Sequence, residues 1–315
     1  MDEIIMRKIN RVVVVFIGSN LIANACASDG YQASWEDVSV GVGVGMLSTT
    51  TKERVYKSTN GHKVSQLNWR AINAPILKGG LEWRVLPELS LGLEGWSTVA
   101  KRGGVMRDYD WEDESQKSWT SKSYHPKSPL NHANQFDLSL KYWLLSDDES
   151  RVGIVSGYQQ TRYRFSAYGG QYNYNNGQYV GDLADSLLGI SYRQTFKTPY
   201  IGLLASYRYQ QWEVGGEVKY SAWGRATDVD EHYLTDITFK SSMTRQKFAA
   251  LSLNGGYYLT DNAKIYLEGT WGRTFNQKGT LRYHDHDEGV SGSNKNSAGI
   301  ESTSLMANIG LRYSF

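Results

Sequence analysis

The chain has 315 residues, enough for one large domain or two ordinary ones. Its net charge of +2 gives no sign of a nucleic-acid partner. With 22 Tyr, 10 Trp, 8 Phe and 32 Gly against 5 Pro, and few runs of helix formers, it leans to an all-β fold.

The N-terminus reads as a secretory signal over residues 1–27, leaving 28–315 as one mature domain. Arg7, Lys8 and Arg11 give a basic start, Val12 to Gly18 (VVVVFIG) opens an apolar core, and Ala25, Cys26 and Ala27 form a small-residue cleavage site. Asp2 and Glu3 sit oddly ahead of it, which leaves Met6 as an alternative start. The rival, a lipoprotein acylated at Cys26, is disfavoured by the lead-in Ala23, Asn24, Ala25. Cleavage after Ala27 removes the only cysteine, so no disulfide, Cys-based metal site or Cys nucleophile is expected.

Beyond residue 27 no run of 18 apolar residues offers a membrane helix. Alternation is plentiful instead. Val38, Val40, Val42, Val44 and Met46 stand at every second position. So do Phe136, Leu138, Leu140, Tyr142 and Leu144, and then Leu305, Ala307, Ile309, Leu311, Tyr313 and Phe315. Such walls suit a barrel in lipid. A soluble β-sandwich also alternates, but the segments are too long for one, and the chain ends on an aromatic strand. Short turns are expected near Pro87, Asp148, Gln210 and Asp261. Long polar loops are expected near 50–62, 101–133, 167–186, 227–236 and 277–299. Four short and five long connections join ten antiparallel strands. The expectation is a ten-stranded antiparallel transmembrane β-barrel extending above the outer membrane.

Two acidic stretches stand out. In "MRDYDWEDES" (106–115), Asp108 and Asp110 share a strand face; in "DVDEHY" (228–233), Asp228, Asp230 and His232 do. Both lie about 20 residues above short turns, on the third and seventh strands, so they meet near the extracellular rim. Parity turns Glu53, Met106, Asp108 and Asp110 inward. Strand seven disagrees: Val214, Val218 and Tyr220 share parity with Asp228, Asp230 and His232. A β-bulge at Gly215–Gly216 or at Gly224 is therefore required for a groove. An Asp230–His232 dyad facing Asp108 and Asp110 can hold and deprotonate a water, with no serine or cysteine nucleophile. His284 and His286 in "YHDHDE" (283–288) form a possible metal-ligand pair. The expectation is nevertheless no metal.

Together these stretches resemble the omptin family of outer-membrane proteases, from about residue 36 to Phe315. The resemblance is carried by "TKERVY" (51–56), "KVSQLNW" (63–69), "MRDYDW" (106–111), "NHANQFDL" (131–138), "GYQQTRYRF" (157–165), "PYIGL" (199–203), "DVDEHY" (228–233) and "GGYYLT" (255–260). The loop stretch "YNYNNGQYVG" (172–181) looks closest to the plasminogen-activator branch.

The resemblance implies catalysis by Asp108, Asp110, Asp230 and His232 in an extracellular groove. It implies cleavage at basic residues, with Glu53 and Asp228 at the base of the primary pocket and Met106 and Ile190 on its apolar lining. Expected targets are cationic antimicrobial peptides or host proteins such as plasminogen. It also implies lipopolysaccharide as an activating lipid, with Tyr158 and Arg162 on the family's binding positions. Gln160 stands where an acid is usual, and Thr195 where many members carry Arg, leaving Arg193 and Arg245 as substitutes. The competing reading is a non-catalytic barrel: an adhesin, receptor or pore. Inward Glu82 and Glu94 with basic neighbours would plug a pore.

Overall fold

The computed structural model describes residues 37–315. The expected signal segment and Cys26 lie outside the described residues. Twelve strands follow in order: β1 (Val38–Tyr56), β2 (Lys63–Leu86), β3 (Leu89–Thr98), β4 (Gly104–Asp110), β5 (Ser121–His125), β6 (Leu130–Ser146), β7 (Ser150–Tyr174), β8 (Tyr179–Tyr209), β9 (Trp212–His232), β10 (Ile237–Tyr258), β11 (Ala263–Asp285) and β12 (Val290–Ser314). β3 and β4 both pair with β2, end to end, and β6 and β5 both pair with β7. Each couple is one wall strand interrupted midway, so the wall has ten strands. β1 pairs with β12, from Ser39 opposite Ser314 to Val55 opposite Ala298, and closes the ring. Closure satisfies every edge, the condition for sheet in lipid.

The four short turns fall where expected. The five longer connections also lie in the expected stretches, but most are far shorter. β1 runs to Tyr56, β11 to Asp285, and β12 begins at Val290, so most of the polar stretches are strand. Their polarity reports water on the outer face above the membrane, not irregular backbone. β7, with 25 residues, spans roughly 80 Å of strand, well beyond the apolar band of about 25 Å even when tilted.

The outer face carries that band low on the wall. Val42, Met46, Leu77, Leu138, Leu203, Val218, Leu253, Leu267 and Leu305 are all exposed. Inside the same region the barrel is filled with ion pairs. Lys141 Nζ lies 2.5 Å from Glu82, and Lys78 Nζ lies 2.6 Å from Glu268 and 3.3 Å from Glu94. Lys219 Nζ lies 2.6 Å from Asp137. These side chains line a cavity of about 300 Å³. Above it Trp69, Tyr163, Phe165, Tyr192, Phe196, Met106, Met243 and Ile300 close the lumen. Fully burying a side chain such as Phe165 is worth about 1.5–3 kcal/mol, so this layer anchors the upper barrel. Among the described residues, ion pairs occupy the lower lumen and aromatics the upper.

Candidate active site

The groove sits on this aromatic layer, above the lipid band. Its placement depends on β9. Between β9 and β8, four steps from Lys197 to Ile201 match five from Arg225 to Tyr220. Between β9 and β10, two steps from Gln246 to Phe248 match three from Gly224 to Ser221. Both registers place one extra residue of β9 within Ser221–Gly224. Of the two expected positions for a bulge, Gly224 is the one used. Below it Trp212, Val214, Val218 and Tyr220 face out; above it Trp223, Arg225 and Thr227 do. Asp228 and Asp230 are thereby turned inward, at 3% and 2% exposure. At Gly224 a Cβ would lie 2.8 Å from the Gln246 carbonyl oxygen, so the close strand approach requires glycine.

On the facing wall Val99–Gly103 interrupts the third wall strand, yet inward parity resumes as expected. Met106 is fully buried, and Asp108 and Asp110 follow on its face. β1 brings in Glu53, 2% exposed. Its neighbours Lys52 and Arg54 face the other way and bind Glu301, at 3.6 and 2.9 Å. Glu53 is thus not held in a surface ion pair with them.

The His232 imidazole and Asp230 Oδ2 are 2.9 Å apart. Burial alone would push the imidazole down; Asp230, then Asp108 and Asp110 from across the groove, raise it to about 9. Burial and the adjacent Asp110 hold Asp108 well above the carboxylate range. Burial lifts Asp110 to about 6 against the pull of the nearby Ser65 hydroxyl, which donates to Asp108 at 3.5 Å. Acids and base thus shift one another's ionisation across one groove.

The second acidic group lies deeper. Asp228 accepts from the Ser241 N–H at 2.9 Å and from the Tyr192 hydroxyl at 3.3 Å, and burial raises it to about 7. Burial, then Asp228 and Asp230, hold Glu53 well above its usual range. Met106 and Ile190 belong to one buried apolar cluster with Trp69, which stacks on Tyr192 at 5.4 Å and 3°. The six titratable residues expected in the groove are brought together, and Met106 and Ile190 are buried in the apolar cluster. Tyr192, Trp69, Ser65 and Ser241 were missed. Only Tyr192 carried a signal: it is the next inward position after Ile190.

On the outer wall Tyr158 packs against Phe136 at 5.9 Å. Arg162 Nη2 and Nε lie 2.8 and 3.2 Å from the Gln160 amide, whose oxygen accepts from both once the amide is turned toward the guanidinium. Thr195 stands opposite Arg162 in register, and Arg193 opposite Arg164. Lys197 is opposite Arg225, which leads to Arg245 on the bulged edge of β10. Together they form a basic belt over β7–β10 just above the apolar band. His284 and His286 stand ring to ring at 4.4 Å on the outer rim, away from the groove. Among the described residues no three His, Cys, Asp or Glu side chains converge as a metal site.

Known proteins carry the same architecture. Protease 7 of Escherichia coli O157:H7 is 45% identical over 288 residues, covering 89% of this chain and 91% of that protein. The plasminogen activator of Yersinia pestis is 39% identical over 306 residues, covering 96% and 97%. The crystal structure of the outer-membrane protease OmpT from Escherichia coli superposes with a TM-score of 0.89 at 42% identity, covering 91% of this chain and 99% of that one. Barrel, groove and relatives define the class: an outer-membrane endopeptidase acting on peptides or proteins. The chain belongs to the omptin family, whose profile matches residues 34–315.

Proposed function

We propose that the groove hydrolyses peptide bonds next to basic residues through water activated by Asp230 and His232. The observation that carries this is the 2.9 Å Asp230–His232 bond facing the Asp108/Asp110 pair. Asp230 orients the ring, and neutral His232 takes a proton from water as its oxygen bonds to the scissile carbonyl carbon. Asp108 and Asp110 hold that water, and the proton passes to the leaving amine as the C–N bond breaks. Water supplies both new groups, so no covalent enzyme intermediate forms. In this sense the enzyme is of the aspartic type. A resting imidazolium must first lose its proton, and a substrate cation in the nearby pocket favours that loss.

Glu53 and Asp228 select Arg or Lys through charge-assisted hydrogen bonds in a desolvated pocket. Met106 and Ile190 cover the aliphatic stem. Cationic antimicrobial peptides and basic sites in host proteins such as plasminogen fit this chemistry. The basic belt around Arg162, with Tyr158 at its lower edge, takes phosphates of lipopolysaccharide, which acts as an activating lipid. Lys197, Arg225 and Arg245 compensate there for Thr195.

The test is cleavage of a fluorogenic peptide containing Arg-Arg or Arg-Val by refolded protein with lipopolysaccharide, beside Asp108→Ala and His232→Ala. Cleavage at the basic site is expected, lost by about 10³-fold in both variants. A folded, lipid-bound wild type that leaves the peptide intact would sink the reading in favour of an adhesin or receptor.

A further inference from the structure

The two pocket acids are not equivalent. Asp228 receives donors: the Ser241 N–H and the Tyr192 hydroxyl. The hydroxyl is itself oriented. Gln194 Nε2 donates to Tyr192 Oη at 2.9 Å, so the Tyr192 proton is left to point at Asp228. Gln194 is oriented in turn: Thr51 Oγ1 donates to its Oε1 at 2.5 Å, the shorter of the hydroxyl's two contacts, the other being the Glu301 carbonyl oxygen at 3.0 Å. Thr51, Gln194 and Tyr192 are at most 1% exposed. Every donor in the chain from β1 to β8 is aimed toward one carboxylate on β9, and such chains polarise one another.

Glu53 has no such support. Its Oε2 is buried and finds no partner among the described residues. Asp230 Oδ1 is likewise buried without a donor, and two such carboxyl groups beside each other require a proton on one of them. Asp230 is already the acceptor for His232, so the proton belongs to Glu53. Asp108, Asp228 and Asp230 are the charged groups that face Glu53; Asp230, Glu53 and the Tyr192 hydroxyl face Asp228.

We infer that Tyr192, held by Gln194 and Thr51, is a positioning residue that keeps Asp228 the charged acid of the pocket, while Glu53 holds a proton until a substrate cation displaces it. This deepens the reading of Glu53 and Asp228 as the basic-residue pocket and rests on it. The direction agrees with the electrostatics: the Tyr192 bond lowers Asp228 against burial, whereas the contact with Asp230 raises Glu53 further.

The experiment is steady-state cleavage of the Arg-Arg peptide, with lipopolysaccharide, over a pH series. Wild type is compared with Tyr192→Phe, Gln194→Met, Glu53→Gln and Asp228→Asn, with folding checked by unheated gel mobility. The Tyr192–Asp228 separation is long, so loss of the hydroxyl is expected to raise KM only about fivefold, with kcat nearly unchanged. It should also move the acidic limb of kcat/KM to higher pH, because a donor to the ionised acid is gone. Gln194→Met should shift the limb the same way by less, and serves if Tyr192→Phe fails to fold. Asp228→Asn should cost at least about tenfold more in kcat/KM than Glu53→Gln. A Tyr192→Phe or Gln194→Met enzyme with unmoved KM and pH limb, or equal losses in the two acid variants, overturns the inference. A wild type that does not cut at Arg overturns the pocket reading itself.

Discussion

Tyr220 and Trp223 both project from the outer wall, although they stand three positions apart. In a regular strand they would lie on opposite faces. The bulge between them sends Asp228 and Asp230 into the groove. Deleting Ala222 restores the two-residue period and turns Asp228, Asp230 and His232 toward solvent. We expect a barrel that still inserts and folds but cleaves at least about 10³-fold more slowly. Retained cleavage in the folded deletion variant would mean that the bulge does not set the groove.

His232 must be neutral to take a proton, and its carboxylate neighbours raise it to about 9. Cleavage is therefore expected to rise with pH along a limb that belongs to the coupled groups rather than to His232 alone. Asp230→Asn removes the largest of the raising influences. It should move that limb down by about one unit while lowering kcat by about 10²-fold through lost orientation. A pH–rate profile of the variant with an unmoved limb would count against the dyad.

Stability should run the other way. Asp108, Asp110, Asp228 and Glu53 are all raised in the fold, and so is His232. A group raised in the folded state adds stability below its unfolded value and loses it as pH rises through its folded value. The thermal midpoint of the detergent-solubilised barrel should accordingly fall between pH 6 and 9, the window spanned by Asp110, Asp228 and His232. Asp108→Asn should flatten that slope and stabilise the inactive protein by about 1 kcal/mol near pH 8. A midpoint that climbs over this range would refute the assignment.

The basic belt makes a separate prediction. Arg162→Ala combined with Arg225→Ala should raise several-fold the lipopolysaccharide concentration needed for half-maximal activity, and more so at low salt. Activity at saturating lipid should return to the wild-type level. Titration of refolded protein with lipid at two ionic strengths measures this, and an unchanged activation curve would locate the lipid elsewhere.

Much of this was legible before folding was considered. Alternation in Val38 to Met46 and in Leu305 to Phe315 marks lipid-facing walls, because the side-chain period of a strand is two wherever it lies. The spacing of Asp108 and Asp230 from their turns set their height for the same reason. Strand extent above the membrane was not legible. Residues such as Lys278 or Ser293 alternate polar with polar, and water on the outer face erases the contrast that marks a strand.

The sequence by itself determined the ten walls, the lipid band and the identities of the five acids and one histidine in the groove. Only the tertiary structure decided on which face of β9 Asp228, Asp230 and His232 stand, since one residue in Ser221–Gly224 reverses parity without changing composition. It alone also decided which pocket acid receives donors. The chain from Thr51 through Gln194 and Tyr192 to Asp228 joins β1, β8 and β9. Residues 143 apart meet there because the barrel closes, a distance that no local pattern encodes.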